Sequence, residues 1–229
     1  MKTNIDIVFD FDGTLAKSTP YHKAGWKSVL DEIGIIEKME VLLPYEPGLK
    51  ERFDSYRRIK FGFLKDPMIR QRLYSYFKND NEEDVVKDIM NLKESFTIKA
   101  ILDDKMHDAI ANLAPNVIQA ISLLKSRQKR VGIISSTRKT IIASFLTQCG
   151  ILNFFDFIIG EESLTTESGI LNDKPDAYAK KILVNMGFGI DVYIGDNDVV
   201  DREFADNCNV EFVLADYQTD YLELINKIG

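Results

Sequence analysis

The sequence predicts an α/β protein: a Rossmann-like, doubly wound parallel sheet whose core is interrupted by a small all-helical insertion. Three observations carry that expectation. The apolar, β-branched segment at residues 5–9 runs straight into the acidic, glycine-containing turn Asp10-Phe11-Asp12-Gly13. From Ala114-Pro115 onward, short apolar segments alternate with helical patterns, as in parallel strands joined by crossover helices. Between these regions the apolar spacing is helical throughout. The expected division is a discontinuous core of residues 1–16 and 105–229, with residues 17–104 as the helical insertion.

Each element follows from its own pattern. Residues 5–9 are short, β-branched and aromatic, which suits a buried strand. In the insertion, Val29, Leu30 and Ile33 recur at helical spacing, as do Val85, Ile89, Leu92 and Phe96. Breaks are expected near Leu43–Gly48, at Asp66-Pro67 and at Asn79–Asn81, where Asn or Asp can cap the next helix. A helix over 116–127 would carry Val117, Ile118, Ile121 and Leu124 on one face. Then come a strand at 131–134, a helix at 139–148 and a strand at 156–159. A helix is expected from Pro175, because proline suits a first turn, to about Met186. A strand at 192–194, a helix at 201–207 and a strand at 210–214 complete the series.

Composition narrows the classes of function. The chain of 229 residues is 45% hydrophobic, enough for a sizeable core. A net charge of −7 argues against general nucleic-acid or membrane-surface binding. The start of the chain is too short in apolar character and too acidic for a signal peptide, and no 18-residue apolar stretch occurs, so a cytoplasmic protein is expected. Cys149 and Cys208 lack the spacing of a metal site or disulfide framework and read as small buried residues. Residues 49–78 carry nine Lys or Arg against three Asp or Glu, interleaved with aromatics. That suits a solvated helix face over an apolar stripe, or a surface that attracts an anionic substrate.

Open α/β sheets bind ligands beyond the carboxyl ends of their strands, and the polar residues of this chain gather there. Asp10 and Asp12, two apart in extended chain, would project on one face while Phe9 and Phe11 pack away. The next strand ends in Ser135-Ser136-Thr137-Arg138, donors suited to phosphate oxygens. Lys174-Pro175 is expected to put a positive charge near a helix N-terminus, where anions are favoured. The fourth strand ends in Asp196-Asn197-Asp198, with Asp201 just beyond. Carboxylates, hydroxyls and one lysine suit a hard cation together with a phosphate dianion.

These residues carry a resemblance. DFDGTL at 10–15, IISS at 133–136, DKP at 173–175 and GDNDVVD at 195–201 are similar, in order, to the four motifs of the haloacid dehalogenase-like superfamily. The resemblance is to its phosphatase and β-phosphoglucomutase branch, which carries a helical cap between motifs one and two. It implies that Asp10 is a nucleophile forming an aspartyl-phosphate and that Asp12 is the general acid and base. Ser135, Ser136 and Lys174 would bind the phosphoryl oxygens. Asp10, Asp196 and the Asp12 main-chain carbonyl would bind magnesium, with Asp201 as a weaker ligand or a support and Asp198 competing with it. His22 and Trp26 lie where the mutase branch has a hinge histidine and a tryptophan, so His22 is expected to be packed at a cap hinge or to bond Asp12. The cap is expected to close over the core and exclude water.

The activity implied is magnesium-dependent hydrolysis of a small phosphorylated metabolite, with oligomeric state left open. A phosphomutase is the alternative, disfavoured because no stretch of the cap resembles the mutase specificity loop. A catalytically retired binding protein is disfavoured by intact residues at all four motifs. Two departures stand out: Lys17 where many relatives carry an acid, and Asn116 where glycine is common.

Overall fold

The computed structural model describes residues 6–35, 64–164 and 173–228. By internal contacts the chain divides into two compact units, Met1–Ser18 with Asp104–Gly229, and Thr19–Asp103.

The smaller unit is helical among its described residues: α1 (Thr19–Ile33), α2 (Pro67–Phe77) and α3 (Glu82–Asp103). Local chemistry sets their ends. The Asp66 carboxylate accepts from the N–H groups of Met68 and Ile69, so α2 starts at the Asp66-Pro67 break. Asn81 caps α3 in the same way, accepting from Glu83 and Asp84 N–H. The apolar residues read at helical spacing converge, with Trp26, Val29, Leu30, Ile33, Leu73, Val85 and Ile89 in one buried cluster. Lys93 is buried in this unit, and its Nζ lies 2.7 Å from His22 Nδ1. The break expected near Leu43–Gly48 and residues 49–63 of the basic segment lie outside the described residues.

The larger unit holds a five-stranded parallel sheet. Its strands are β1 (Asp6–Phe9), β2 (Arg130–Ile134), β3 (Phe157–Ile159), β4 (Val192–Gly195) and β5 (Glu211–Leu214), in the order β3-β2-β1-β4-β5. Every pairing is parallel, with Val8 opposite Gly132 on one side and Tyr193 on the other. The helices between and around the strands are α4 (Met106–Ala111), α5 (Val117–Ser126), α6 (Lys139–Gln148), α7 (Glu161–Leu164), α8 (Tyr178–Asn185), α9 (Val200–Cys208) and α10 (Tyr221–Ile228). β1, β2 and β4 are buried along nearly their whole lengths, which is why they read as continuous apolar runs and not as alternations. The chain builds outward from β1 to β3, then returns to β4 on the other flank. The order therefore reverses beside β1, where such sheets hold their ligands.

One element differs from expectation. The helix expected from Pro175 begins at Tyr178. The Asp176 N–H donates to the Asp173 carbonyl, and the Asp176 carboxylate accepts from Tyr178 N–H. These two turns hold Lys174 and Pro175 in a loop ahead of the helix, so Lys174 does not owe its place to a helix N-terminus. The Lys174-Pro175 peptide bond is cis. Both cysteines are free and buried, and burial pushes their thiols up, to about 12 for Cys149 and about 11 for Cys208. Among the described residues no helix is long and apolar enough to cross a membrane.

Candidate active site

At the carboxyl end of β1 the strand hands over to Asp10, whose N–H still bonds the Ile194 carbonyl of β4. The Asp10 side chain is buried, and so are Lys174 and Asp201. Lys174 Nζ lies 2.8 Å from Asp10 Oδ1 and 2.6 Å from Asp201 Oδ1. The other Asp201 oxygen accepts from Asn197 N–H at 3.0 Å, so both oxygens of this carboxylate are engaged. Gly195 makes room for it: a Cβ there would stand 2.5 Å from Asp201 Oδ2. Asp196 is half-buried and accepts from the Thr14 hydroxyl at 3.1 Å.

Asp10, Asp196 and Asp201 each offer a carboxylate oxygen, and these oxygens lie within 4.8 Å of one another. Two like charges about 4 Å apart repel by about 4 kcal/mol at an effective dielectric of about 20. One ammonium among three carboxylates leaves that repulsion incompletely balanced. Accordingly the Asp196 carboxyl is pushed up to about 6, first by burial and then by the Asp201 charge, with Lys174 and the Thr14 hydroxyl opposing. A group of hard oxygen donors with excess negative charge fits a divalent cation such as magnesium. Asp198 is placed differently. It is exposed and paired with Arg202 one turn along.

Asp12 sits beside this group in a collar of hydroxyls. Its Oδ1 accepts from Ser18, and its Oδ2 accepts from Thr137 and, at 3.4 Å, from Ser135. Ser135 is buried, with its N–H on the Ile159 carbonyl of β3 and its hydroxyl accepting from Thr137 N–H. Ser136 is turned elsewhere. Its hydroxyl donates to Asp173 at 2.6 Å, and the same Asp173 oxygen accepts from Lys174 N–H at 2.7 Å.

The structure therefore brings Asp10, Asp12, Ser135, Lys174, Asp196 and Asp201 together, while the Ser136 hydroxyl braces the Lys174 loop. Sequence reasoning left Ser18, Thr14 and Tyr193 without roles and read Thr137 only as a donor suited to phosphate oxygens, although each touches a carboxylate or the lysine of the site. The signal available for Thr14 and Ser18 was their nearness to the Asp10–Asp12 turn. For Tyr193 it was a polar tip within a buried strand, two residues before Gly195.

Solved structures share this fold over nearly the whole chain. A predicted phosphoglycolate phosphatase from Haemophilus somnus matches with a TM-score of 0.58 at 18% identity, over 100% of each chain. CbbY from Rhodobacter sphaeroides, in complex with phosphate, matches with a TM-score of 0.58 at 15% identity, over 94% of this chain and 88% of its own. The β-phosphoglucomutase of Clostridium difficile matches with a TM-score of 0.57 at 14% identity, over 99% of each chain. At these identities the likeness is one of fold. No curated protein sequence matches the chain. The sequence itself carries the assignment: the family model for haloacid dehalogenase-like hydrolases matches residues 7–215, from the first strand to just past the last, and the chain belongs to that family.

Proposed function

We propose that this protein is a magnesium-dependent phosphatase of the cytoplasm, acting on a small phosphorylated metabolite through a phosphorylated Asp10. The observation that carries the reading is the buried bridge from Lys174 to Asp10 and Asp201, set where three carboxylate oxygens converge. Family membership and a fold shared with phosphatases and a phosphomutase support phosphate chemistry.

In the first step Asp10 attacks phosphorus, the bond from phosphorus to the ester oxygen breaks, and Asp12 gives that oxygen a proton. In the second, a water attacks the phosphorylated Asp10 while Asp12 takes its proton, releasing inorganic phosphate and the free carboxylate. The hydroxyls of Ser18 and Thr137 fix the direction of Asp12 during both transfers. Ser135 and Lys174 are assigned to the phosphoryl oxygens, with Ser136 acting through its main-chain N–H because Asp173 holds its hydroxyl. Magnesium held by Asp10, Asp196 and the Asp12 carbonyl, with Asp201 behind, would offset the repulsion between the Asp10 carboxylate and the phosphate dianion.

The test is phosphate release from sugar phosphates, nucleotides and phosphoglycolate, with magnesium and with EDTA. Release from one or a few of them, lost in EDTA and in Asp10→Asn, is the expected result. Release unaffected by Asp10→Asn overturns the proposal. Bisphosphate-stimulated isomerisation of a sugar phosphate without net release replaces it with a phosphomutase.

A further inference from the structure

A lysine ammonium is a triple donor whose direction is set by the acceptors around it. Lys174 donates to Asp201 Oδ1 at 2.6 Å and is ion-paired with Asp10 Oδ1 at 2.8 Å. It also donates to the hydroxyl of Tyr193 at 2.7 Å. Tyr193 is fully buried and is the one uncharged partner of the three. Its own hydroxyl donates to the carbonyl of Ile134, the last residue of β2, at 3.3 Å, with Asp201 Oδ1 a second acceptor at 3.4 Å. The hydroxyl thus ties the ammonium to the end of β2, immediately before Ser135.

The placement follows from strand geometry. Tyr193 stands opposite Val8, and side chains two apart share a face, so Tyr193 lies on the sheet face of Val8 and Asp10. Two residues on, Gly195 leaves the space that Asp201 fills. The Tyr193 ring is held edge-on by Phe204 at 4.8 Å, and the ammonium sits 5.3 Å from its centroid. Without that hydroxyl the ammonium would lose a hydrogen bond whose direction is fixed by the packed ring, leaving its aim to the less directional pull of the carboxylates.

We propose that Tyr193 is a positioning residue: its hydroxyl accepts from the Lys174 ammonium and keeps it beside Asp10. The kinetic side of this inference rests on the phosphatase reading above. The decisive variant is Tyr193→Phe, which keeps the ring and its packing. Misaiming a charge by a fraction of an ångström is expected to lower kcat about tenfold and to change KM by less than about twofold. An unchanged kcat, or a raised KM at constant kcat, overturns the proposal.

A second measurement separates positioning from mere satisfaction of a buried hydroxyl. In denaturant unfolding of the metal-free protein, Tyr193→Phe is expected to destabilise the wild type but to add nothing in Lys174→Met. Additive losses overturn the proposal. Should Lys174→Met not fold, the kcat and KM of Tyr193→Phe decide alone. A wild-type protein silent across the substrate panel sinks the phosphatase reading, and the unfolding cycle then still decides whether Tyr193 acts through Lys174.

Discussion

At Gly13 two demands meet on one residue. Its φ of +80 belongs to the left-handed region, and a Cβ there would stand 2.4 Å from Asp196 Oδ2. The turn it makes is pinned on both sides, by Gly13 N–H to the Ala16 carbonyl and by Tyr217 N–H to the Gly13 carbonyl, so it cannot swing away. Gly13→Ala is therefore expected to cost about 1–2 kcal/mol in backbone conformation. It should also displace Asp196 from the carboxylate group, with a loss of about a hundredfold or more in magnesium-dependent turnover. Parallel assays of turnover and thermal unfolding check both; near-normal turnover at saturating magnesium would remove Asp196 from the metal set. The same neighbourhood shows what a sequence reveals about a site. Asp10, Asp12, Ser135 and Asp196 were legible because charged or hydroxyl residues at strand ends are themselves the signal, whereas Lys174, ahead of α8, and Asp201, within α9, were singled out by the motifs they resemble. The collar on Asp12 was not, since Thr137 reaches it across 125 positions and a hydroxyl's direction is decided by packing. The Ser136 hydroxyl illustrates the same limit, being turned to Asp173.

Among the elements, the strands were legible from their apolar runs, whereas helix starts depended on capping side chains. The loop before α8 shows this: Asp176 closes a local turn that a pattern of apolar residues does not register. Asn116 is the clearer case. It precedes α5 with φ 56, a conformation glycine adopts freely and asparagine tolerates. Its side chain does further work by donating to Asp220 Oδ2 at 2.8 Å, while Asp220 Oδ1 accepts from Leu222 and Glu223 N–H at the start of α10. One asparagine thus joins the beginnings of two helices. Asn116→Ala removes the bond and puts at positive φ a residue that tolerates it less well than asparagine, so a loss of about 1–2 kcal/mol is expected. Asn116→Gly loses only the exposed bond and should cost about 0.5 kcal/mol or less. Denaturant midpoints of the two variants give the comparison, and equal losses would show that backbone conformation is not what asparagine supplies there.

Across the sheet as a whole, the chemistry and the structural charges occupy opposite ends of β1. At its start the Asp6 carboxylate is buried and accepts from two guanidinium nitrogens of Arg130 and from Gly189 N–H, binding β1, β2 and the segment before β4. At its end Asp10 stands four residues on, about 13 Å away at the strand rise. The two carboxylates are equally buried but differ in balance. Asp6 has a guanidinium for itself, while Asp10 shares one ammonium with Asp201 and stands close to Asp196. Removing either charge should therefore act in opposite directions. Asp6→Asn leaves Arg130 without its anion, and because that guanidinium is about one-third exposed the loss should be about 2–3 kcal/mol, below the range for a fully buried pair. Its turnover per folded molecule should stay within about twofold of wild type, since nothing at the far end of the strand has moved. Asp10→Asn, by contrast, should abolish turnover but relieve repulsion in the metal-free protein, and its unfolding midpoint should match or exceed that of the wild type. Added magnesium should narrow that gap by stabilising the wild type more than the variant. If Asp10→Asn were instead the more damaging of the two to metal-free stability, the excess of negative charge at the strand ends would not be the strain that a cation relieves.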